Sequence, residues 1–410
     1  MPLIVMKFGG SSVADAEKIR HVAGRVLAKK KAGNKVVVVV SAPGDMTDDL
    51  IKMAEGVTDM PDEREMDMLL STGEQVSIAL LSMAIKHMGG KAISLTGPQA
   101  GIFADASHTC ARITGIVPTK VHRELKKNNI VIVAGFQGLN PNEDIATLGR
   151  GGSDLTAVAL AAALKADVCE IYTDVEGVYT TDPRVAPDAR KINYISYEEM
   201  LEMAGQGAQV MQGRSVEVGK KYGMEIHVRS TFSQNNGTII TTEEIARRKN
   251  MEEVVVSSIA FDKNQVKLSI VEVPDRPGIA AKVFGAMAKG NVNVDMIVQS
   301  AAADRTNDIS FTVNRSELKK AMPILEKVQK ELGAKEILSE DKVAKLSIIG
   351  VGMRSHPGVA AKMFETLADE GINIEMISTS EIKVACVVRE DQLHDAVKAL
   401  HKAYGLDKKK

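Results

Sequence analysis

Short hydrophobic runs alternate with longer amphipathic segments over the first 240 residues of the chain. The runs are short enough for buried strands, and they lie at Leu3 to Phe8, Val36 to Val40, Ala92 to Leu95, Ile130 to Ala134 and Cys169 to Tyr172. The segments from about Asp15 to Lys31 and from Arg64 to Met88 have the apolar spacing of helices. Five consecutive valines at 36–40 are typical of a parallel strand covered on both faces. The alternation predicts an α/β sandwich with a mainly parallel sheet.

The last third of the chain contains an internal repeat. Residues 277–297 recur at 357–377 with a constant offset of 80 residues, and each copy opens with Pro-Gly. A strand is predicted before each copy, a helix after the Pro-Gly pair, and a further strand after an Asn-containing turn. The pattern predicts two small βαββαβ units with a polar crevice suited to a ligand that carries an amine and a carboxylate. The alternative is an oligomerisation module without a ligand.

A charged stretch separates these two parts. Arg247-Arg248-Lys249-Asn250 interrupts the apolar pattern and indicates a linker. The predicted division is a catalytic domain at 1–245, a linker at 246–265, and two repeat domains at 266–342 and 343–405.

Composition narrows the classes of partner. With 52 Lys and Arg against 53 Asp and Glu, the net charge is -1, so no overall field attracts nucleic acid or an anionic membrane. Aromatic residues make up 3% and Trp is absent, which disfavours base stacking; small charged metabolites fit better. Cys110, Cys169 and Cys386 match no zinc or disulfide spacing, and no signal peptide or membrane-spanning run is apparent. We therefore expect a cytoplasmic protein.

Residues 147–154, Thr-Leu-Gly-Arg-Gly-Gly-Ser-Asp, precede a long apolar run. Glycines permit close backbone approach, a helix start offers free N–H groups, and Arg150 can bind a carboxylate or phosphate through two hydrogen bonds. Ser153 or Asp154 is expected to cap the helix. The alternative is a glycine-rich connection with one solvated arginine.

Three other stretches carry candidate binding groups, two at the ends of predicted strands and one inside a predicted helix. Lys7 and Gly9-Gly10 follow the first strand and suit a phosphate, although Lys7 alone can simply extend into solvent. Gly73 interrupts a predicted helix and indicates that a ligand or another backbone segment comes close to the helix there. The alternative for the neighbouring Glu74 is an exposed carboxylate on the helix surface. The loop at 173–184 is rich in groups that can hold a nucleotide, its metal and its phosphates.

Familiar kinase signatures are absent. No Walker loop, His-Arg-Asp or Asp-Phe-Gly occurs, and Gly350-Val-Gly-Met-Arg-Ser fails the dinucleotide pattern. The motifs that do occur are Lys7-Phe-Gly-Gly-Ser-Ser, Ser71-Thr-Gly-Glu-Gln, Gly135-Phe-Gln-Gly, Thr147-Leu-Gly-Arg-Gly-Gly-Ser-Asp and the stretch 172–184. Together, in this order, they closely resemble the aspartate kinase (aspartokinase) family of the amino-acid kinase superfamily, and the repeats resemble its two ACT domains.

This resemblance implies a fold, a reaction and its partners. The fold would be an amino-acid kinase three-layer αβα sandwich followed by two ferredoxin-like ACT domains. The reaction would be transfer of the γ-phosphate of ATP, with Mg²⁺, to the β-carboxylate of L-aspartate, the first step towards lysine, threonine and methionine. Lysine, threonine or both would inhibit it. The assembly would be a homo-oligomer or a complex with an ACT-only subunit translated from an internal start, for which Met251 is the candidate.

The resemblance also assigns site residues. The catalytic residues would be Lys7 and Asp182. The substrate-binding residues would be Thr47, Glu74, Arg150, Gly151, Gly152 and Ser153. The ATP-binding residues would be Lys7, Phe8, Gly9, Gly10, Ser41, Thr173, Asp174, Tyr179, Thr180, Asp182, Pro183, Arg184 and Gln209. The effector residues would be Asp275, Gly278, Ile279, Ala280, Asn293, Asp295 and Gln299 in the first repeat, and Asn373, Ile374, Thr379, Ser380 and Glu381 in the second. No dedicated protein metal site is expected.

Two positions depart from the family pattern. Gln209 stands where many relatives have a lysine near the nucleotide, which removes one cation, and Pro43 stiffens the loop where relatives usually have methionine. A non-catalytic amino-acid sensor on the same fold is therefore the alternative function. Four retained residues argue against it: Lys7, Glu74, Arg150 and Asp182. A kinase for another substrate is disfavoured by the repeats and by the Ser-Thr-Gly-Glu stretch.

Overall fold

The computed structural model describes residues 1–208, 210–250, 255–301 and 306–408, which form two compact units. The first unit comprises residues 1–178, 191–204 and 210–250. The second comprises 179–190, 205–208, 255–301 and 306–408. Two short segments that precede the repeats in the sequence, 179–190 and 205–208, therefore group with the repeats. The predicted domain boundaries stay a prediction.

The first unit contains an eight-stranded sheet in the order β10-β12-β11-β9-β1-β2-β6-β3. Its strands are β1 (Leu3–Phe8), β2 (Lys35–Val40), β3 (Ala92–Leu95), β6 (Ile130–Ala134), β9 (Val168–Thr173), β10 (Tyr194–Ser196), β11 (Ile226–Ser230) and β12 (Thr238–Thr241). Only the β11–β12 pair is antiparallel. These pairings confirm the predicted mainly parallel sheet. Its central strands β2 and β6 are apolar on both faces, as a parallel sheet covered on both sides requires.

A smaller sheet lies in the same unit, in the order β5-β4-β7-β8. Its strands are β4 (Ile102–Ala104), β5 (Ile113–Ile116), β7 (Gln137–Leu139) and β8 (Ile145–Thr147). The antiparallel pair of β7 and β8 is the hairpin that leads into the glycine-rich motif.

Eight helices precede the repeats in the described part of the chain. They are α1 (Ala16–Lys31), α2 (Met46–Glu55), α3 (Glu63–His87), α4 (Thr119–Lys126), α5 (Gly152–Leu164), α6 (Tyr197–Gly205), α7 (Gly213–Tyr222) and α8 (Glu243–Lys249). Helix α1 shows why they form: Asp15 accepts a hydrogen bond from the Lys18 N–H, and an apolar stripe faces the sheet. The stripe joins valines of β2 in one buried cluster.

Helix α3 departs from the expectation that no stretch of the chain has membrane-spanning length and apolarity. Over its 25 residues it is long and apolar enough to cross a membrane, and among the described residues it is the one helix that is. Half of the most apolar stretch of α3 is nevertheless buried inside the fold, as in the core helix of a globular protein.

The second unit is built on one antiparallel six-stranded sheet, in the order β14-β15-β13-β16-β18-β17. Its strands are β13 (Ser258–Pro274), β14 (Val294–Ala301), β15 (Thr306–Asn314), β16 (Glu336–Ile349), β17 (Met376–Thr379) and β18 (Lys383–Arg389). Its helices are α9 (Ile279–Lys289), α10 (Leu318–Leu332), α11 (Val359–Asp369) and α12 (Leu393–Ala403). Helices α9 and α11 start directly after the Pro-Gly pairs, as the repeat predicts.

The second repeat departs from the predicted βαββαβ order in one respect. After α12 no strand follows in the described residues, and residues 258–262 of β13 pair with β16 at Ser258–Ile349 and onwards. The sheet therefore receives its remaining strand from the segment before the first repeat. Residues 258–265, assigned above to the linker, lie in this strand because their apolar side chains are buried in the second repeat's core.

Candidate functional site

The carboxyl ends of adjacent parallel strands bring four predicted site segments to one edge of the first unit's sheet. β1 pairs with β2 through Phe8 and Val40, and with β9 through Phe8 and Tyr172. Ser41 and Thr173 follow these strand ends, and Gly135 follows β6. Open α/β sheets bind ligands at this edge.

Lys7 lies at this edge, and its ammonium is 2.6 Å from the carboxylate of Asp154. Both side chains are mostly buried, at 11% and 13% exposed. The expectation that Ser153 or Asp154 caps α5 is wrong: the N-cap residue is Gly151, and no side chain caps the helix. Because Asp154 is committed to Lys7, it holds that ammonium in place, and the first N–H groups of α5 keep no side-chain cap.

Glu74 is buried, which overturns the alternative of an exposed carboxylate. Its Oε1 accepts a hydrogen bond of 3.0 Å from the Ala42 N–H, whereas its Oε2 has no hydrogen-bond partner among the described residues. Burial raises the pKa of Glu74 to about 7, although the Ala42 N–H and the charge of Lys7 act to lower it. A buried carboxylate with one free oxygen is suited to bind an ammonium group.

Gly73 explains how Glu74 reaches Ala42. A Cβ at this position would lie 2.7 Å from the Cβ of Ala42, so only glycine allows α3 to approach the loop after β2. The predicted close approach is therefore made by the protein's own loop.

The glycine-rich motif forms a tight turn before α5. Gly149 and Gly151 have φ of 73° and 74°, and a Cβ on Gly151 would lie 1.9 Å from Cγ of Gln212. Arg150 is exposed, and the described residues offer it no hydrogen bond or ion pair. Its guanidinium is consequently available to a carboxylate.

The other substrate candidates line the same neighbourhood of the first unit. Ser153 is buried, and a Cβ on Gly135 would lie 2.6 Å from its Oγ, so β6 and α5 are in close contact. Gly152 packs against Phe136, while Thr47 is half-buried in the first turn of α2. The structure thus brings together the predicted aspartate-binding residues that belong to α5, its turn and the sheet edge.

The predicted nucleotide residues divide between the two units. Phe8 stacks on Tyr172 with ring centroids 4.7 Å apart, and Gly9 donates its N–H to the Tyr172 carbonyl. Thr173 donates to Asp174 at 2.9 Å, also in the first unit. Ser41 is half-buried, and a Cβ on Gly10 would lie 2.7 Å from the Ala42 carbonyl.

Residues 179–184 belong to the second unit. Asp182 forms an ion pair of 2.7 Å with Arg184, whose guanidinium lowers the pKa of Asp182. Thr180 is buried and hydrogen-bonded to His401 at 2.9 Å, so its hydroxyl is already engaged. Tyr179 is half-buried and Pro183 is exposed. Gln209 lies outside the described residues, as does Met251.

Two charged residues that sequence reasoning missed support the glycine-rich motif. Asp67, fully buried in α3, accepts hydrogen bonds from Thr147, from the Thr109 N–H and from His108. Arg214 donates to the carbonyls of Leu148 at 2.6 Å and Ala111 at 2.9 Å. An acid inside an apolar helical pattern was a readable signal for Asp67. Arg214 had none, because its partners are distant in sequence.

The effector candidates lie at helix starts and on edge strands of the second unit. Gly278 is the N-cap of α9, directly before Ile279 and Ala280, and Asp275 accepts a hydrogen bond of 2.9 Å from Asn307. Asp295 and Gln299 are on β14 and Thr379 is on β17; these two edge strands contact each other.

The remaining effector candidates occupy turns. The Asn293 N–H donates to Glu317, Asn373 precedes β17 together with Ile374 and donates to Glu375, and the Ser380 N–H donates to the Lys383 carbonyl. Glu381 is exposed and pairs with Arg354. No group of three or more metal-ligating side chains converges within residues 1–208, 210–250, 255–301 and 306–408.

Comparison with known proteins matches both parts of the chain. The amino acid kinase family matches residues 2–230, and the ACT domain matches residues 268–329 and 346–404. An aspartate kinase of Pseudomonas putida is 53% identical over 407 residues, covering 99% of this chain and 98% of the relative.

The chain belongs to the aspartate kinase family.

Solved structures agree with this membership and with the predicted fold class, which is confirmed. E. coli aspartokinase III in complex with aspartate and ADP superposes with a TM-score of 0.80 at 25% identity, covering 98% of this chain and 99% of that one. The same E. coli enzyme in complex with lysine and aspartate superposes with a TM-score of 0.76 at 25% identity, again covering 98% and 99%. The chain is accordingly an enzyme of the aspartate kinase family.

Proposed function

We propose that this enzyme transfers the γ-phosphate of ATP to the β-carboxylate of L-aspartate, giving 4-phospho-L-aspartate and ADP. The observation that carries the proposal is the pair of binding groups at one sheet edge: the buried Glu74, and Arg150 on the glycine turn. Within the described part of the chain, one oxygen of Glu74 and the guanidinium of Arg150 have no partner. An amino acid offers an ammonium to the first and an α-carboxylate to the second. The E. coli relative that binds aspartate and ADP supports this assignment.

The chemistry asks little of the protein beyond position and charge. The β-carboxylate of aspartate, with an ordinary pKa of ~3.9, is ionised at neutral pH and attacks the γ-phosphorus without a general base. The bond from the γ-phosphorus to the bridging oxygen of ADP breaks as the new P–O bond forms. Lys7, held by Asp154, stabilises negative charge on the phosphoryl oxygens.

The nucleotide is proposed to bind as its Mg²⁺ complex, with Phe8, Ser41, Thr173 and Asp174 as its contacts in the first unit. By the family resemblance, the 179–184 segment would also contact it, and Asp182 would orient its phosphates. The Mg²⁺ ion would arrive bound to the phosphates of ATP. Gln209 would leave the site one cation poorer than in many relatives.

The repeats are proposed to sense end products. Lysine, threonine or both would bind at the effector candidates and inhibit the enzyme, which would act in the cytoplasm at the start of lysine, threonine and methionine synthesis. The E. coli relative in complex with lysine supports an amino-acid effector. A homo-oligomer, or a complex with an ACT-only subunit, is proposed as the assembly.

The test is ATP-dependent phosphorylation of L-aspartate with Mg²⁺, trapped as the hydroxamate, with and without lysine plus threonine. Lys7→Ala is expected to lower kcat on the order of 10² to 10³-fold, because it removes a charge aimed at the transferring phosphate. Lys18→Ala is the matched control, since Lys18 is half-buried on α1 and forms a local ion pair with Asp15. A folded Lys7→Ala enzyme with normal turnover would refute the role of Lys7. Aspartate binding without product would instead favour the sensor alternative.

A further inference from the structure

Lys345, on β16, is a buried lysine that phosphoryl transfer does not use. Its side chain is 1% exposed, and it lies between Ala344 and Leu346, whose side chains face the opposite apolar core. A lysine is almost never fully buried unless a counter-charge compensates the loss of hydration. Its partners therefore indicate what the residue does.

The ammonium of Lys345 has two partners, both in the second unit. It forms an ion pair with the carboxylate of Asp295 and reaches the carbonyl of Gly205 at 3.5 Å. Asp295 is in β14 where the register shifts between Val294 and Ile297, an irregularity that redirects side chains. Its side chain is 38% exposed, so one face of the carboxylate stays open to a ligand.

Gly205 begins a four-residue segment, 205–208, that is fastened to the same sheet at further points. Ser347, on the same face of β16 as Lys345, donates to Gln206 at 2.8 Å, and both are buried. Gly207 has φ of 102°, and a Cβ there would lie 2.2 Å from the carbonyl oxygen of Phe261. Along the chain this segment continues α6 and leads directly into Gln209.

We propose that Lys345 is a positioning residue that couples Asp295 to the 205–208 segment, and so couples amino-acid binding on the repeats to ATP binding. The idea rests on the proposed function for the roles of Asp295 and Gln209. A ligand that binds Asp295 through its own ammonium competes with Lys345 for the carboxylate. Because the Lys345 ammonium is buried, water cannot replace the lost ion pair with Asp295. Its contact with the Gly205 carbonyl therefore changes. The amino-acid effector and ATP then shift the same equilibrium, between a state with the Lys345–Asp295 ion pair and a state without it.

Replacement of Lys345 by methionine tests the coupling, because methionine fills similar space without the charge. The expected result is an ATP KM at least threefold above that of the wild type, with kcat and the aspartate KM within twofold. A structural role alone would not separate the two KM values. Dissociation constants for lysine and threonine, measured by calorimetry with and without ADP, are expected to differ for the wild type and to coincide for Lys345→Met, because linkage is reciprocal.

The matched control is Lys267→Met. Lys267 is a mostly buried lysine of the same sheet, and its ion-pair partners are Glu340 and Glu375 rather than residues that contact the 205–208 segment. It should leave the ATP KM unchanged. Should Lys345→Met fail to fold, Asp295→Asn interrupts the same link from the other end and should raise the ATP KM alike. The double variant should raise it no further than either single change.

The outcomes separate this proposal from the proposed function. An ATP KM within twofold of wild type in folded Lys345→Met, or an equal rise in Lys267→Met, overturns the coupling. If the wild type binds neither lysine nor threonine, the feedback part of the proposed function fails, and the ATP KM still decides the role of Lys345. If the wild type makes no phosphoaspartate, the ATP dissociation constant replaces the KM as the readout.

Discussion

Glu74 gives a pH-dependent prediction whose size follows from its environment. We consider Glu74→Gln, which keeps the shape and an oxygen to accept the Ala42 N–H but removes the ionisable group. In the folded protein burial raises the pKa of Glu74 from its ordinary 4.5 to about 7. In the unfolded chain it returns to the ordinary value.

The sign follows from which form each state prefers. Below about pH 4.5 the carboxyl is protonated in both states, so its ionisation affects neither. Between the two pKa values only the unfolded chain ionises, so stability falls as pH rises, and the loss is complete above about pH 7. The gap between 4.5 and about 7, at 1.36 kcal/mol per pH unit, corresponds to about 3 kcal/mol.

The assay is urea unfolding of the wild type and Glu74→Gln between pH 5 and 8.5, without aspartate. The free energy of unfolding of the variant, relative to wild type, should rise by about 2 to 3 kcal/mol across this range. Saturating aspartate should reduce the difference, because its ammonium stabilises the ionised carboxylate. Parallel pH profiles for the two proteins would refute the burial argument, and an unchanged aspartate KM in Glu74→Gln would remove Glu74 from the substrate site.

Two further substitutions test the supports of the site. Arg214→Met should lower the free energy of unfolding by about 2 to 3 kcal/mol and raise the aspartate KM, because two charged hydrogen bonds to the carbonyls of Leu148 and Ala111 are lost. Lys220 is on the same helix, but it is exposed and pairs with the half-buried Glu198. Lys220→Met should therefore change stability by less than about 0.5 kcal/mol in the same urea titrations. Gly73→Ala should destabilise the protein by about 1 to 3 kcal/mol and raise the aspartate KM, because the new Cβ would lie 2.7 Å from the Cβ of Ala42. Gly24→Ala is the control, since its new Cβ would be 3.9 Å from the nearest atom outside its own helix. It should be neutral or stabilising in thermal melts. Equal effects of Arg214→Met and Lys220→Met would contradict the hydrogen-bond argument. Equal effects of Gly73→Ala and Gly24→Ala would contradict the packing argument.

Local sequence patterns were enough to predict most of the architecture. The bounds of β1, β3 and β6 match the short runs predicted from the sequence. In β6 the reason is plain, because a strand buried on both faces needs an uninterrupted hydrophobic stretch. The constant offset of the repeats likewise predicted the helices after both Pro-Gly pairs. Lys7, Glu74 and Arg150 were recognisable because their motifs are short and contiguous.

The pairings of these residues required the three-dimensional structure. Lys7 and Asp154 come together because β1 and α5 pack against each other, although 147 positions separate them along the chain. The burial of Glu74 depends on how closely α3 approaches Ala42, and Lys345 finds its counter-charge on another strand. Periodicity reports which face of an element is apolar, but the charge state and partners of a buried group depend on distances between elements. Those distances are set only when the chain packs.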